Sequence, residues 1–172
     1  MPIARPAADE YAPFYETYVG KVTEPDLVSL LTSQQATTAK FLAGLTETQA
    51  AHRYAPGKWS LREVIGHLAD SERIFAYRLL RIARADTTPL PGFDENLYVP
   101  GGEFERRPLA SVAAEFASVR AATLTLLEGT TPEALARMGT ASGKPISARA
   151  LAFIIAGHEK HHLGVIRERY LK

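Results

Sequence analysis

The sequence predicts an all-α protein built as a four-helix bundle. Four long stretches place their apolar residues at the three- and four-residue spacing of an amphipathic helix. No stretch shows the alternating pattern of a convincing strand, and no segment repeats another. Because each helix must bury its apolar stripe, a bundle in which the four stripes face one another is the natural architecture.

Residues 1–22 are expected to form an arm that lies over the bundle. Pro2, Pro6 and Pro13 argue against a regular helix in this segment. The same segment holds a concentration of aromatic side chains that a disordered tail would rarely have, namely Tyr11, Phe14, Tyr15 and Tyr18. We expect one turn of helix near residues 14–18.

The first long helix is predicted to begin at Pro25, with the Asp26 carboxylate in the first turn, where the helix dipole favours negative charge. Its apolar positions are Leu27, Leu30, Leu31, Phe41, Leu42 and Leu45. Gln34 and Thr38 interrupt this face. They indicate either a bundle layer in which the amide is hydrogen-bonded, which we favour, or a polar pocket inside the bundle. A short helix is expected around Glu47–His52.

The second long helix has the clearest start signal. Ser60 and Glu63 form a capping box, and the helix should run from Leu61 to about Arg84. Its apolar positions are Leu61, Val64, Ile65, Leu68, Phe75, Leu79 and Ile82. This stripe is sustained over the whole length of the helix, as expected for a face buried in a bundle.

Two polar side chains lie on or beside that apolar face. Glu72 falls within it, and His67 lies at its border. A buried carboxylate is costly unless a cation or a metal ion pairs with it. Arg78 or Arg120 could be that cation.

A long connection, residues 87–107, separates the second and third helices. Its structure breakers exclude one continuous element: Pro89, Pro91, Pro100 and the Gly101–Gly102 pair. A connection of this length often forms a lid or an interface segment. Its large apolar side chains, Phe93, Leu97, Tyr98 and Phe104, are expected to pack on the bundle. Its acids, Asp94, Glu95 and Glu103, are expected to be exposed.

Residues typical of helix ends predict the bounds of the last two long helices. Pro108 opens the third helix and Gly129 ends it. Thr131 and Pro132 resemble an N-cap and first helical residue, so a short extra helix is expected before the last one, to about residue 137. Residues 138–145 are predicted to be loop. Ser147 then caps the final helix, which extends to about residue 171.

The final helix carries three of the five histidines. His158 and His162 fall within roughly 20° of the centre of its apolar stripe, whereas His161 lies at the edge. Residues at positions i and i+4 lie one turn apart on one face, so these two imidazoles could share a metal ion, as in helical H-x-x-x-H zinc motifs. Alternatively, they could be ordinary core histidines. His67 would supply a third ligand, and three histidines without a fourth protein ligand leave open positions, as in catalytic sites.

The composition excludes several classes of function. The formal net charge is +1 and no Lys/Arg run builds a basic patch, so we expect no nucleic-acid partner. The chain has no cysteine, which excludes a disulfide framework, a thiolate metal site and a protein thiol nucleophile. No apolar run reaches about 18 residues and the N-terminus lacks a secretory apolar region, so we expect one cytoplasmic domain over residues 1–172 and no membrane partner.

Three segments also carry a family resemblance, from about Asp26 to Leu171. The segment G-H-L-A-D-x-E-x-x-x-x-x-R begins at Gly66, GFDENLY follows, and H-x-x-H-H begins at His158. Together they resemble the DinB-like superfamily, which includes damage-inducible DinB proteins and YfiT-like hydrolases thought to depend on a metal. The resemblance implies an up-down-down-up bundle whose long loop crosses between the second and third helices.

The resemblance also implies a metal site and a function. Its ligand positions correspond here to His67, His158 and His162, and nickel or zinc is the expected ion. A divalent ion with open positions can bind water or a substrate heteroatom and lower its pKa. Related families transfer groups to low-molecular-weight thiols, so the expected chemistry on a small-molecule substrate is thiol-dependent transfer, with the thiol as co-substrate, or hydrolysis.

The roles of the remaining candidates stay open at this stage. Glu72 could be a catalytic base or orient a ligand, or it could sit in a buried ion pair. Asp70, Gln34 and His161 are candidates near the site, and Asp70 could equally be a solvated helix residue. The alternative function is a non-catalytic metal-binding or stress-response protein whose site is structural or vestigial. A homodimer is compatible with the aromatic arm and the long loop, which could supply contact area.

Overall fold

In the computed structural model, which describes residues 3–172, the long helices lie where the hydrophobic periodicity predicts them. The helices are α1 (Glu16–Val19), α2 (Leu27–Ala43), α3 (Glu47–Ala51), α4 (Leu61–Ala83), α5 (Glu95–Gly101), α6 (Leu109–Glu128), α7 (Pro132–Leu135) and α8 (Ala148–Val165). A π-helical turn, Ile166–Tyr170, extends α8. The short helices expected in the arm, after α2 and before α8 are therefore confirmed, as is the all-α four-helix bundle.

Contacts at the helix ends fix the direction of α4, α6 and α8. Glu47 joins the starts of α4 and α6, because its carboxylate pairs with Arg62 and accepts a hydrogen bond from the Leu109 backbone N–H at 2.9 Å. These two helices are therefore parallel. The Tyr170 hydroxyl at the far end of α8 donates to the carbonyl of Trp59, just before α4, at 2.8 Å. Helix α8 consequently runs antiparallel to α4.

Helix α2 runs parallel to α8. The Gln34 side-chain amide donates to the Ala156 carbonyl at 3.0 Å, and one turn further on the Thr38 hydroxyl donates to Glu159 Oε1 at 2.5 Å. The order of directions is thus up, down, down, up, as the family resemblance implies. Because α4 and α6 are parallel neighbours, the chain needs a long crossover to return to the end at which α4 began.

The crossover is more ordered than the sequence suggested. We expected no continuous element there, and residues 95–101 form only the short helix α5, which Asp94 caps by accepting a hydrogen bond from the Asn96 backbone N–H at 2.9 Å. Pro100 is tolerated because a helix of this length loses only one backbone hydrogen bond at that position. The expected packing holds for Phe104, which is buried, but not for Leu97, which is 72% exposed on the outer side of α5.

The prediction of loop for residues 138–145 was wrong. Strands β1 (Met138–Ala141) and β2 (Lys144–Ser147) form an antiparallel hairpin in that segment. Ser142 and Gly143 connect them, and both have positive φ, at 52° and 71°. Two such residues form the tight turn that matches the twist of a hairpin. The strands were missed because they are only four residues long and lack strict alternation.

A buried polar layer separates two apolar clusters of the bundle. Arg120 of α6 lies at its centre, fully buried, and its guanidinium donates through Nε and Nη2 to the two carboxylate oxygens of Glu72, both at 2.8 Å. Its Nη1 lies 2.7 Å from Glu159 Oε2. Gln34 and Thr38 of α2 complete the layer. The structure thus places these two residues in a bundle layer that is hydrogen-bonded to α8 through Gln34 Nε2 and the Thr38 hydroxyl, while Gln34 Oε1 has no partner among the described residues.

Helix α6 is the one described helix that is long and apolar enough by composition to cross a membrane. However, the charge in its middle, Arg120, is enclosed by carboxylates of α4 and α8. Its apolar residues pack against α2 and α4 in the same bundle. We therefore describe α6 as a core helix of the bundle.

Candidate metal centre

Three imidazoles converge between α4 and α8. The Nε2 atom of His158 lies 3.2 Å from Nε2 of His67 and 3.1 Å from Nε2 of His162. One ring nitrogen from each of the three residues lies within 4.8 Å of the others. His67 and His158 are buried, and His162 is half-buried. The structure thus brings together the three residues that the sequence singled out as ligands.

A glycine precedes a ligand on each helix and lets another segment approach closely. A Cβ atom at Gly66 would lie 2.5 Å from the ring of Phe104, which packs there from the crossover. A Cβ atom at Gly157 would lie 2.0 Å from the carbonyl oxygen of Tyr18. Real side-chain atoms do not approach so closely, so both contacts require glycine. The arm and the crossover can therefore cover the bundle directly beside His67 and His158.

Aromatic rings surround the three imidazoles. The ring of Trp59 lies 4.9 Å from that of His67, and the rings of Tyr18 and Phe75 lie 5.0 Å and 5.7 Å from that of His158, edge to face. These rings exclude water from the inner side of the cluster. The outer nitrogen of His67, Nδ1, lies 3.3 Å from the hydroxyl oxygen of Ser71, one turn along α4.

This environment keeps the imidazoles neutral. Burial lowers the pKa of His67 to about 4. Burial and the neighbouring histidines lower the pKa of His162 to about 3 and that of His158 well below its usual 6.5. At neutral pH each ring therefore has an unprotonated nitrogen, and the neutral ring is the form that binds a metal ion.

The nitrogen spacing and chemistry fit a divalent metal ion. Zinc–nitrogen bonds are about 2.0–2.1 Å long, so two nitrogens on one tetrahedral ion lie about 3.3–3.4 Å apart. The nitrogens here, at 3.1 and 3.2 Å, need to move apart only slightly. An all-imidazole set suits zinc, nickel, copper or iron better than magnesium or calcium, which prefer oxygen ligands. Three protein ligands leave coordination positions free for another molecule.

A cavity of about 420 Å³ opens onto this cluster at the end of the bundle where α4 begins and α8 ends. Its wall includes His162, Trp59 and Tyr170, and its edge carries Lys58 and Arg169. A larger cavity of about 780 Å³ lies at the opposite end, where α2 begins, and no histidine of the described residues lines it. Of these two cavities, only the smaller one reaches the metal ligands, through His162.

Comparison with known protein families identifies the family of this chain. A family model of the DinB superfamily matches residues 30–166, most of the chain. The chain belongs to the DinB superfamily. No curated protein matches it significantly.

Two solved structures from Bacillus subtilis resemble this DinB superfamily member. The first, YfiT, is described as a probable metal-dependent hydrolase with an unusual four-helix bundle topology. It aligns with a TM-score of 0.67 at 18% identity over 96% of this chain and 90% of its own. The second, a DinB-like protein, aligns with a TM-score of 0.59 at 21% identity over 84% of this chain and 89% of its own. At these identities the likeness shows the shared bundle fold.

The other candidate residues lie at different distances from the three histidines. His161 is half-buried, lines the cavity next to His162, and has its ring 5.0 Å from that of His162. Gln34 contacts α8 two residues before His158, through the backbone. Asp70 lies 3.5 Å from the guanidinium of Arg73, which also pairs with Glu115 of α6 at 2.5 Å. Asp70 is therefore a residue of the interface between α4 and α6.

The catalytic role considered for Glu72 does not fit its surroundings. Both of its carboxylate oxygens accept hydrogen bonds from Arg120, and the side chain is buried in the polar layer. The cation is thus Arg120, whereas Arg78 donates to the Pro91 carbonyl at 2.7 Å. Both oxygens are thus engaged by Arg120, and Glu72 does not line the cavity. We correct its role to that of an ion-pair partner.

Sequence reasoning missed Glu159, which adjoins His158 and is also buried. It accepts a hydrogen bond from Thr38 and lies against Arg120, so it links α8 to α2 and α6 at the level of the metal ligands. A signal was present, because residues 150–157 are apolar or small on every side, as expected for a helix buried all round. On such a helix a carboxylate has to find a buried partner.

Proposed function

We propose that this protein is a divalent-metal-dependent enzyme acting on a small molecule that enters the 420 Å³ cavity. The observation that carries the proposal is the convergence of three neutral imidazoles, of which His67 and His158 are buried and the half-buried His162 lines the wall of that cavity. When bound, a divalent ion supplies Lewis-acid chemistry, since it polarises a ligand atom and lowers the pKa of a bound group. Zinc or nickel suits the all-imidazole ligand set.

The chain's own residues hold and orient such an ion. His67, His158 and His162 provide the ligand atoms. The hydroxyl oxygen of Ser71 is placed to accept a hydrogen bond from Nδ1–H of His67, which leaves Nε2 of that ring unprotonated for the metal. Trp59 and Tyr18 cover the cluster and exclude water from its buried side.

The residues that line the cavity favour a reaction in which no protein carboxylate activates the nucleophile. No Asp or Glu of the described residues lines it, and the titratable side chains that do include His161 and Tyr54. The chain also has no cysteine, so a thiol nucleophile would have to come from a co-substrate. Transfer of a group to a low-molecular-weight thiol and hydrolysis are the two reactions that we propose. The description of YfiT as a probable metal-dependent hydrolase supports the second.

The same lack of a carboxylate favours one alternative, a protein that binds a metal ion without catalysis. The two functions differ in turnover. Protein loaded with zinc or nickel would be assayed with a panel of low-molecular-weight thiols plus electrophiles, and with simple esters and amides. We expect turnover with the loaded protein and none with His158→Ala.

His52→Ala is the matched control, because His52 is exposed and lies outside the cluster. It should keep full turnover. Absence of turnover by the metal-loaded protein across the whole panel would overturn the enzymatic proposal in favour of the binding protein. Equal turnover by His158→Ala would overturn the site.

A further inference from the structure

Two cationic side chains at the edge of the cavity have no acidic partner. Lys58 and Arg169 both line it, and neither forms an ion pair with any residue that the structure describes. At the same end Arg62 pairs with Glu47, and Arg53 pairs with Glu63 at 2.7 Å. Arg167 also forms no ion pair with a described residue, but it lies over the Phe41 ring and does not line the cavity. Lys58 and Arg169 are therefore set apart by lining the cavity without an acidic partner among the described residues.

Both cations are held at the cavity by their backbone positions. Lys58 follows Gly57, whose φ of 73° turns the chain just before α4, and it directly precedes Trp59 of the cavity wall. Arg169 lies in the π-helical turn after α8, with its guanidinium 5.4 Å from the centre of the Tyr54 ring. Stacking on an aromatic ring restricts a guanidinium while leaving its N–H groups free to donate.

The charge inside the cavity is one-sided. Lys58 and Arg169 are positive, and no described carboxylate lines the wall. Glu63, which lies in the first turn of α4, is engaged by Arg53 and by the Ser60 backbone N–H. A divalent ion on the imidazoles would add further positive charge. A cleft lined by charge of one sign concentrates ligands of the opposite sign.

We propose that Lys58 and Arg169 bind an anionic group, a carboxylate or a phosphate, of the small molecule whose reacting atom reaches the three histidines. This substrate class rests on the function proposed above. The volume of about 420 Å³ suits a compact molecule with one anionic end and an apolar body that packs on Trp59. Lysine and arginine are the side chains that best recognise carboxylate and phosphate groups.

The protein carries its own reporter for this site, because Trp59 is its only tryptophan. Benzoate and phenyl phosphate serve as carboxylate and phosphate probes, and benzamide serves as the neutral probe of the same shape. Each is titrated into the purified full-length protein, with and without zinc, and the change in tryptophan emission is recorded. We expect both anions to bind and benzamide to bind at least about tenfold more weakly.

The decisive variant is Lys58→Gln with Arg169→Gln. It should weaken binding of the anions at least about tenfold and remove most of its dependence on salt, since partly exposed charge pairs are screened within about 10 Å at 0.1 M salt. The matched control is Arg84→Gln with Lys144→Gln, which removes the same charge from exposed residues at the opposite end of the bundle. It should bind the anions as the wild type does.

The outcomes separate this proposal from the metal-dependent function. Equal binding of benzoate and benzamide, or unchanged anion binding by the Lys58/Arg169 variant, would overturn the anion site. Zinc content is measured on the same samples. If the wild type retains no zinc but still binds anions through these two residues, the anion site stands and the metal-dependent function fails. If zinc is retained but the anions do not bind, the reverse holds.

Discussion

Replacement of Arg120 by Met would leave the carboxylates of Glu72 and Glu159 in the bundle interior without their cation. The guanidinium is fully buried and contacts both carboxylates at 2.7–2.8 Å. Removing one partner of a buried ion pair costs about 3–5 kcal/mol, because an uncompensated charge remains. For a chain of this size each kcal/mol shifts the melting temperature by about 2–4 °C. We therefore expect Arg120→Met to lower it by about 6–20 °C.

Urea unfolding monitored by helical circular dichroism measures this loss. The matched control removes all the charges together, as Glu72→Met, Arg120→Met and Glu159→Gln, where the new amide can still accept the hydrogen bond from Thr38. It should be more stable than Arg120→Met alone, since apolar replacement of a whole buried charge cluster is often neutral or stabilising. A loss below about 1 kcal/mol for Arg120→Met would refute the ion-pair reasoning, as would a triple variant less stable than the single one.

Two further predictions concern the arm that covers the bundle. Gly157→Ala should push Tyr18 away from α8 and lower the free energy of unfolding by about 1–3 kcal/mol, because the overpacked contact is with the Tyr18 backbone and is relieved only by a shift of the arm. Urea unfolding measures this loss, and unchanged stability would contradict the contact. The hydrogen bond from Arg149 lowers the pKa of Glu10 from 4.5 to about 2, so this pair stabilises the fold fully above pH 4.5 and the contribution disappears as the pH falls toward 2. Glu10→Gln should therefore be less stable at neutral pH by up to about 1 kcal/mol, with a difference that vanishes in acid. Thermal unfolding across that pH range checks this, and a constant difference would argue against the pair.

The bundle was predictable because its signals are local and redundant. The Ser60 capping box and the apolar stripe that follows it indicate the same helix, and the structure agrees with the predicted bounds. The His158–His162 pair was equally predictable, since i and i+4 spacing places both side chains one turn apart on the buried face of the helix. The sequence indicated His67 as the third ligand because it lies at the border of the apolar stripe of α4 and because the family resemblance implies it.

The missed features depend on contacts between distant segments. The hairpin at residues 138–147 forms through a two-residue turn and pairing that also engages Leu90 of the crossover. Glu159 lies beside the apolar stripe of α8, and the apolar sequence before it indicates a helix covered on every side, but only the structure shows that its partner is Arg120. The choice between base and ion pair for Glu72 required knowing that α4 and α6 are parallel neighbours. No local pattern contains that information.

Metal content tests the central claim most directly. The purified protein is loaded with zinc or nickel, dialysed and measured by elemental analysis, beside His158→Ala and the exposed-histidine control His52→Ala. We predict one ion per chain for the wild type and the control. We predict that His158→Ala loses at least about 100-fold in affinity, because even residues that only orient a ligand contribute about 10–100-fold. Full occupancy of His158→Ala, or no retention by the wild type, would contradict the assignment of His67, His158 and His162 as a metal centre.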